Sequence, residues 1–150
     1  MQLTEDALLG GRIRLHQPAE GYRAAIDPVF LAAAVPALDG QVVLDVGVGV
    51  GAAALCLAFR MPACRVVGIE IQPVLAALAR ENVHLNGLQS RVDVLTGNMS
   101  APPPRLAPGS YHHVMTNPPY LSAEQATAPP HAGKAIANVE SEIDLPQWMR

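Results

Sequence analysis

The spacing of hydrophobic and polar positions changes several times along the chain, and each change marks an element. Residues 41–46, QVVLDV, are a continuous, β-branched apolar run between Gly40 and Gly47, the pattern of a strand covered on both faces. Residues 52–60, AAALCLAFR, follow with helical composition. The unit then recurs: residues 65–70, RVVGIE, read as a second strand. Residues 73–86 read as a helix with Val74, Leu78 and Leu85 on one face and Gly87 at its end. A third strand is expected at about 91–95 and a fourth at 111–116, with the loop APPPRLAPG between them. Ahead of this series, residues 21–38 begin polar and turn into PVFLAAAVPAL, with Asp27 placed to cap a short helix and Pro28 in its first turn. Strands and helices alternating in this order predict an α/β fold, a mostly parallel sheet built from right-handed crossovers with flanking helices. A helix start is expected near 141–148, and no strand pattern follows it. The expected sheet is therefore C-terminally truncated after about its fourth strand.

Composition narrows the class. The chain has 150 residues, 50% hydrophobic and 15% charged, which fits one globular domain over 1–150 and excludes a disordered segment. No apolar run reaches the roughly 18 residues that a membrane span requires. The N-terminus lacks the basic-then-apolar layout of a secretory leader, so a cytoplasmic location is expected, with Cys56 and Cys64 as reduced, buried, hydrophobe-like thiols. The net charge of −3, with nine Arg and one Lys, does not suit a non-specific nucleic-acid binder. Any RNA contact must be local, and Arg12, Arg14, His16 and Arg23 form the candidate patch if Arg12 and Arg14 share one face of a strand. The alternative is a solvated, charged strand edge. His112 and His113, neighbours on a strand, face opposite sides and are expected at the strand start or in the core; no metal site is expected.

Two motifs carry chemistry. The first, residues 45–51 (DVGVGVG), lies between a buried strand and a helix, where backbone amides and the helix N-terminus face a ligand at the sheet's carboxyl edge. Gly47, Gly49 and Gly51 admit close approach and a tight turn with positive φ. Nicotinamide and flavin dinucleotides use a related loop, but G-x-G-x-x-G counted from Gly47 needs a glycine where Ala52 stands. Asp45, at the strand end, repels a pyrophosphate and suits a cationic amino group, such as that of S-adenosylmethionine. Glu70, 21 positions beyond Gly49, ends the second strand at the spacing of a ribose-binding carboxylate, which fits either ligand. Asn98, after the third strand, is placed to meet an adenine ring or to make a plain turn.

The second motif, Asn117-Pro118-Pro119-Tyr120, follows the fourth strand at the same expected edge. Two prolines stiffen the backbone, so that the Asn117 side-chain oxygen and the Pro118 carbonyl can accept both hydrogens of one amino group. That draws the nitrogen lone pair out of conjugation, while Tyr120 stacks on a flat substrate. In a Pro-rich chain NPPY also serves as a rigid turn; its place beside a ligand loop favours the chemical reading.

At these two motifs the chain resembles class I S-adenosylmethionine-dependent amino-methyltransferases. Within them it is similar to the bacterial tRNA adenine-N6 methyltransferases that modify a valine tRNA beside the anticodon. The segments LLGGRIRLHQPAEGYRAAIDPVFLAAAVPA, VLDVGVGVGAAALCLA, VVGIEIQPVLAALARENVHLNG and NPPY follow that family's order. The resemblance implies a Rossmann-like methyltransferase fold of seven strands, of which this chain supplies about four, with S-adenosylmethionine as cofactor and tRNA as partner. It implies that Asp45, Gly47, Gly49, Glu70 and Asn98 hold the cofactor, that Asn117 to Tyr120 hold the target amino group, and that Arg23 and Asp27 belong to a stretch closing over the cofactor. Asn98 stands where the family usually has Asp, and His112 where it commonly has an acidic residue. The absent strands put catalysis by this chain alone in question. Rival readings are a release-factor glutamine methyltransferase, which normally carries a helical domain where this chain has 44 residues ahead of Asp45, and a guanine-N2 RNA methyltransferase, which tends to carry Phe at the position of Tyr120. Outside that class stand a dinucleotide-binding oxidoreductase module and a catalytically silent fragment.

Overall fold

The structure, a computed structural model, describes residues 1–20, 23–117, 121–122 and 139–140. Its centre is a four-stranded parallel sheet. β3 (Val42–Val46), β4 (Arg65–Glu70), β5 (Val92–Thr96) and β6 (His113–Thr116) lie side by side in the order β5-β4-β3-β6. The helices α1 (Asp27–Ala34), α2 (Ala52–Arg60) and α3 (Pro73–Leu85) complete the α/β pattern. An antiparallel hairpin, β1 (Leu3–Leu8) and β2 (Ile13–Pro18), precedes the sheet. A short parallel pair, β7 (Leu121–Ser122) with β8 (Val139–Glu140), follows it. The helix expected near 141–148 lies outside the described residues.

Alternation along the strands divides the core in two. Val43, Val66, Val92 and Val94 face a large cluster with Leu55, Leu57, Ala76 and Ala79, to which β2 adds Ile13 and Leu15. Leu44, Val46, Ile69 and Leu95 face the other way and meet Leu106, Met99 and Tyr111. Among the described residues the three helices therefore sit on one face only, whereas the sequence predicts helices flanking the sheet. The β5–β6 connection explains this, since Pro102, Pro103, Pro104 and Pro108 bar a crossover helix and leave Leu106 to plug that face.

Several boundaries differ from expectation. β6 starts at His113 because His112 is occupied with the neighbouring strand: its N–H donates to the Val42 carbonyl at 2.9 Å and its Nδ1 accepts the Val42 N–H at 3.1 Å. His113 Nε2 lies 2.9 Å from Gln41 Oε1, so both histidines act at the strand start. Asp27 does not cap α1; Ile26 occupies that position without a side-chain bond, and Asp27 adds negative charge to the first turn. On α3, Val74 is exposed rather than buried, while Ala76, Leu78, Ala79, Asn82 and Val83 turn inward. Small residues on that face let the helix approach the glycine turn, where a side chain at Gly51 would meet the Ala79 Cβ at 3.6 Å. Cys56 and Cys64 are both buried thiols, as expected.

Candidate functional site

All four parallel strands deliver their carboxyl ends to one rim. Chain order reverses between β3 and β6, since the chain runs outward from β3 through β4 to β5 and returns on β3's other side, and ligands of open α/β sheets bind at such a switch point. Val46 is paired with Thr116, whose hydroxyl donates to the Val46 carbonyl at 2.9 Å. Gly47 and Asn117 thus leave the sheet from neighbouring positions, on strands about 4.8 Å apart. Asn117 is exposed there. Pro118, Pro119 and Tyr120 lie outside the described residues.

The glycine loop is held by the next strand. Gly47 and Val48 N–H both donate to the Ile69 carbonyl, at 2.9 and 3.0 Å. Glu70, buried at the end of β4, accepts the Gly49 N–H on Oε2 and the Gln72 N–H on Oε1, each at 2.9 Å. Gly47, Gly49 and Gly51 have φ of 74°, 57° and 94°, a region that L side chains rarely adopt, so the turn requires glycine at these positions. A Cβ at Gly49 would point into open space. Beneath the loop Gly68 is required for a different reason: a Cβ there would lie 2.7 Å from Val48 Cγ2 and 2.9 Å from Val48 Cβ.

Asp45 is buried on the helical side of β3, 2% exposed, and its Oδ2 is the one buried side-chain polar atom without a hydrogen-bond partner among the described residues. Burial, and then the charge of Glu70, push its carboxyl up to about 7, opposed in part by the Ala54 N–H. Leaving such an atom without a donor costs about 1–3 kcal/mol, so the carboxylate is chemically matched to a cationic or N–H group entering beside the loop.

The remaining predicted residues are distributed differently. Gly97 N–H donates to the Glu70 carbonyl at 3.0 Å, which brings the β5 turn to the same rim. Asn98 Oδ1 accepts the Ser100 N–H at 2.8 Å within that turn. Arg23 is tied to the hairpin, bonding Thr4 Oγ1 at 2.7 Å, the Pro18 carbonyl at 2.9 Å and Asp6 at 2.5 Å. Asp27 is exposed at the start of α1.

The expected basic patch is corrected. Arg12 lies in the hairpin turn with its guanidinium on the Leu9 carbonyl, not on the strand face of Arg14. Arg14 makes two bonds to Glu5, at 3.0 and 2.9 Å, and His16 lies 3.3 Å from the same carboxylate. Hydrogen bonds from Arg14, then His16, hold the Glu5 carboxyl below its usual range. Glu5 thus pairs with Arg14, and Asp6 with Arg23. Among the described residues no group of three or more His, Cys, Asp or Glu is arranged to hold a metal, and no helix is long and apolar enough to cross a membrane.

Sequence reading missed Asn82, fully buried on α3, whose amide donates to the Val50 carbonyl of the loop at 2.9 Å. The available signal was a polar residue between Ala79 and Val83 on an otherwise apolar face. It also missed Ile71, 38% exposed directly after Glu70 at the rim.

Comparison with known proteins adds a family and a fold. The family model described as the methyltransferase small domain matches residues 25–139. The chain is 32% identical over 123 residues to the tRNA1(Val) (adenine(37)-N6)-methyltransferase of Aeromonas hydrophila, covering 81% of this chain and 50% of that protein. It is 40% identical over 89 residues to the release factor glutamine methyltransferase of Deinococcus radiodurans, covering 59% and 30%. The fold is that of P. horikoshii TYW2 in complex with MeSAdo, at a TM-score of 0.58 and 24% identity over 67% of this chain and 38% of that one. The chain thus spans between 30% and 50% of the length of these two curated relatives.

Proposed function

The chain belongs to the methyltransferase small domain family, and from that premise we propose that it acts as an S-adenosylmethionine-dependent N-methyltransferase on adenine N6 of a tRNA. The observation that carries this reading is the meeting of two demands at one rim: Asp45 Oδ2 lacks a donor beside the glycine loop, and Asn117 leaves the next strand at the position matching Gly47.

Each residue then has a role. Asp45 receives the ammonium group of the cofactor's amino-acid end, and the glycines let its backbone contact be close. Glu70 spends one lone pair of each oxygen on Gly49 and Gln72 N–H, and the others suit ribose hydroxyls. Ile71 and Asn98 flank the adenine, while Arg23 and Asp27 order the segment before β3. S-adenosylmethionine, when bound, supplies an electrophilic methyl group on a sulfonium centre. Asn117 and the Pro118 carbonyl accept the two hydrogens of the target amino group, which localises the nitrogen lone pair and aims it toward the glycine loop. Tyr120 stacks on the base. No tuned general base is required, because the proton can leave to water after the nitrogen becomes cationic.

The tRNA relative supports adenine as target: a match over 81% of the chain takes in residues ahead of Asp45 as well as the loop. The release factor relative, at 40% identity, supports a second reading in which Asn117 grips a glutamine amide. Labelled S-adenosylmethionine offered with bulk tRNA, followed by nucleoside analysis, tests the first; a release factor as acceptor tests the second. Label in N6-methyladenosine is expected, and label confined to the release factor refutes the tRNA assignment.

A further inference from the structure

The hairpin β1–β2 is joined to α3 through side chains that imitate a strand. Asn82 and Asn86, four positions apart and so on one face of the helix, each offer an amide to alternate residues of β2. Asn86 Oδ1 accepts the Arg14 N–H at 2.9 Å and its Nδ2 donates to the Arg14 carbonyl at 2.7 Å. Asn82 Oδ1 accepts the His16 N–H at 2.8 Å and its Nδ2 donates to the His16 carbonyl at 2.9 Å. These bonds cover the β2 edge that β1 does not, a protection an edge strand needs. They also fix its register on the helix.

The two asparagines differ in one bond. Asn82 spends its second amide hydrogen on the Val50 carbonyl, whereas that of Asn86 goes to the Asn82 carbonyl within the helix, at 2.7 Å. Val50 lies between Gly49, held by Glu70, and Gly51, whose N–H donates to the Val48 carbonyl at 2.9 Å. The direction of the Val50 carbonyl sets the plane of the Val50–Gly51 peptide, and with it the turn into α2. The glycine loop is thus gripped at two points, Glu70 on the Gly49 N–H and Asn82 on the Val50 carbonyl.

We propose that Asn82 is a positioning residue that couples the N-terminal hairpin to the glycine loop, so that order in β2 and ligand occupancy of the loop reinforce each other. Such coupling is reciprocal: whatever the hairpin contributes to ligand affinity, the ligand returns to the hairpin. The affinity consequence rests on the cofactor assignment above, but the coupling itself does not.

Asn86→Ala supplies the control, because it removes the same kind of bonds to β2 and none to the loop. In the protein without ligand, Asn82→Ala is expected to speed amide hydrogen exchange at Gly49 and Gly51 about tenfold more than Asn86→Ala, once both are compared at equal loss of thermal stability. It is also expected to weaken S-adenosylhomocysteine binding by about tenfold more than Asn86→Ala. Equal exchange at the loop amides in the two variants overturns the proposal. Should Asn82→Ala not fold, the wild-type protein decides: S-adenosylhomocysteine must slow exchange at the His16 amide, and an unchanged rate overturns the coupling. Absence of S-adenosylhomocysteine binding by the wild type sinks the cofactor assignment alone, and Asn82→Ser replaces Asn82→Ala in the ligand-free exchange comparison.

Discussion

Replacing Asp45 by Asn removes a titration that the fold makes costly. The carboxyl moves from 3.8 to about 7 on folding, and at about 1.4 kcal/mol per pH unit this amounts to about 4 kcal/mol. The sign follows from proton uptake: with its folded pKa raised, the native state binds the proton more tightly than the unfolded chain. Stability from this group is therefore full below about pH 4 and lost as pH rises through about 7. Over the span from pH 5 to pH 8 the wild type should lose about 2–3 kcal/mol that Asp45→Asn does not lose. The amide leaves its own buried group short of a partner, at about 1–3 kcal/mol, so the variant should be the less stable protein at pH 5 and match or exceed the wild type at pH 8. For a chain of this size the relative shift in Tm between the two pH values is about 5–10 °C. Thermal melts read that shift, and urea denaturation of both proteins at pH 5 and 8, at constant ionic strength and without ligand, reads the free-energy difference. A stability difference independent of pH would refute the burial argument. Loss of S-adenosylhomocysteine affinity in the same variant at both pH values would separate the ligand role of the carboxylate from its cost to the fold.

Other expectations follow from the same rim. Wild-type affinity for S-adenosylhomocysteine should fall as pH drops through about 7, and in Glu70→Gln, where a charge that raises the Asp45 carboxyl is gone, the midpoint should move to lower pH; calorimetry across pH reads both, and an unmoved midpoint counts against the pairing. Gly68→Ala should destabilise by about 1–3 kcal/mol through contact with Val48, and Val48→Ala in the same chain should restore part of it; a thermal melt without such rescue refutes the steric cause. Asn117→Ala should abolish methyl transfer while changing S-adenosylhomocysteine affinity less than about threefold, and retained transfer means that the amino group is held elsewhere. Leu55→Ala, at a fully buried site, should cost about 2–5 kcal/mol in denaturant unfolding, and a loss under 1 kcal/mol would mean that the core relaxes around it.

The parallel strands were legible because a strand buried on both faces has a signature in its own residues: VVLDV and RVVGIE are Val- and Ile-rich stretches without the apolar–polar alternation of a half-exposed strand. Their common carboxyl rim was legible too, since strands joined by crossovers run parallel and end on one side, so Gly47, Glu70 and Asn117 were expected at the same rim, whereas the strand order that makes β6 the neighbour of β3 came from the fold. Tertiary structure alone decided what depends on partners distant along the chain. The pairing of Arg14, a candidate RNA contact, with Glu5 across the hairpin exists only in the fold, as does the link that Asn82 makes between β2 and Val50. Val74 obeyed the helical period yet is exposed, while Leu78 one turn further along the same face is buried, because the period gives the face of a helix but not how far along it the cover extends. The proton affinity of Asp45 belongs to the same class. Residue type placed a carboxylate at the strand end, but depth of burial and the nearness of Glu70 determine whether it carries a charge, and both arise only when β3, β4 and α2 close around it.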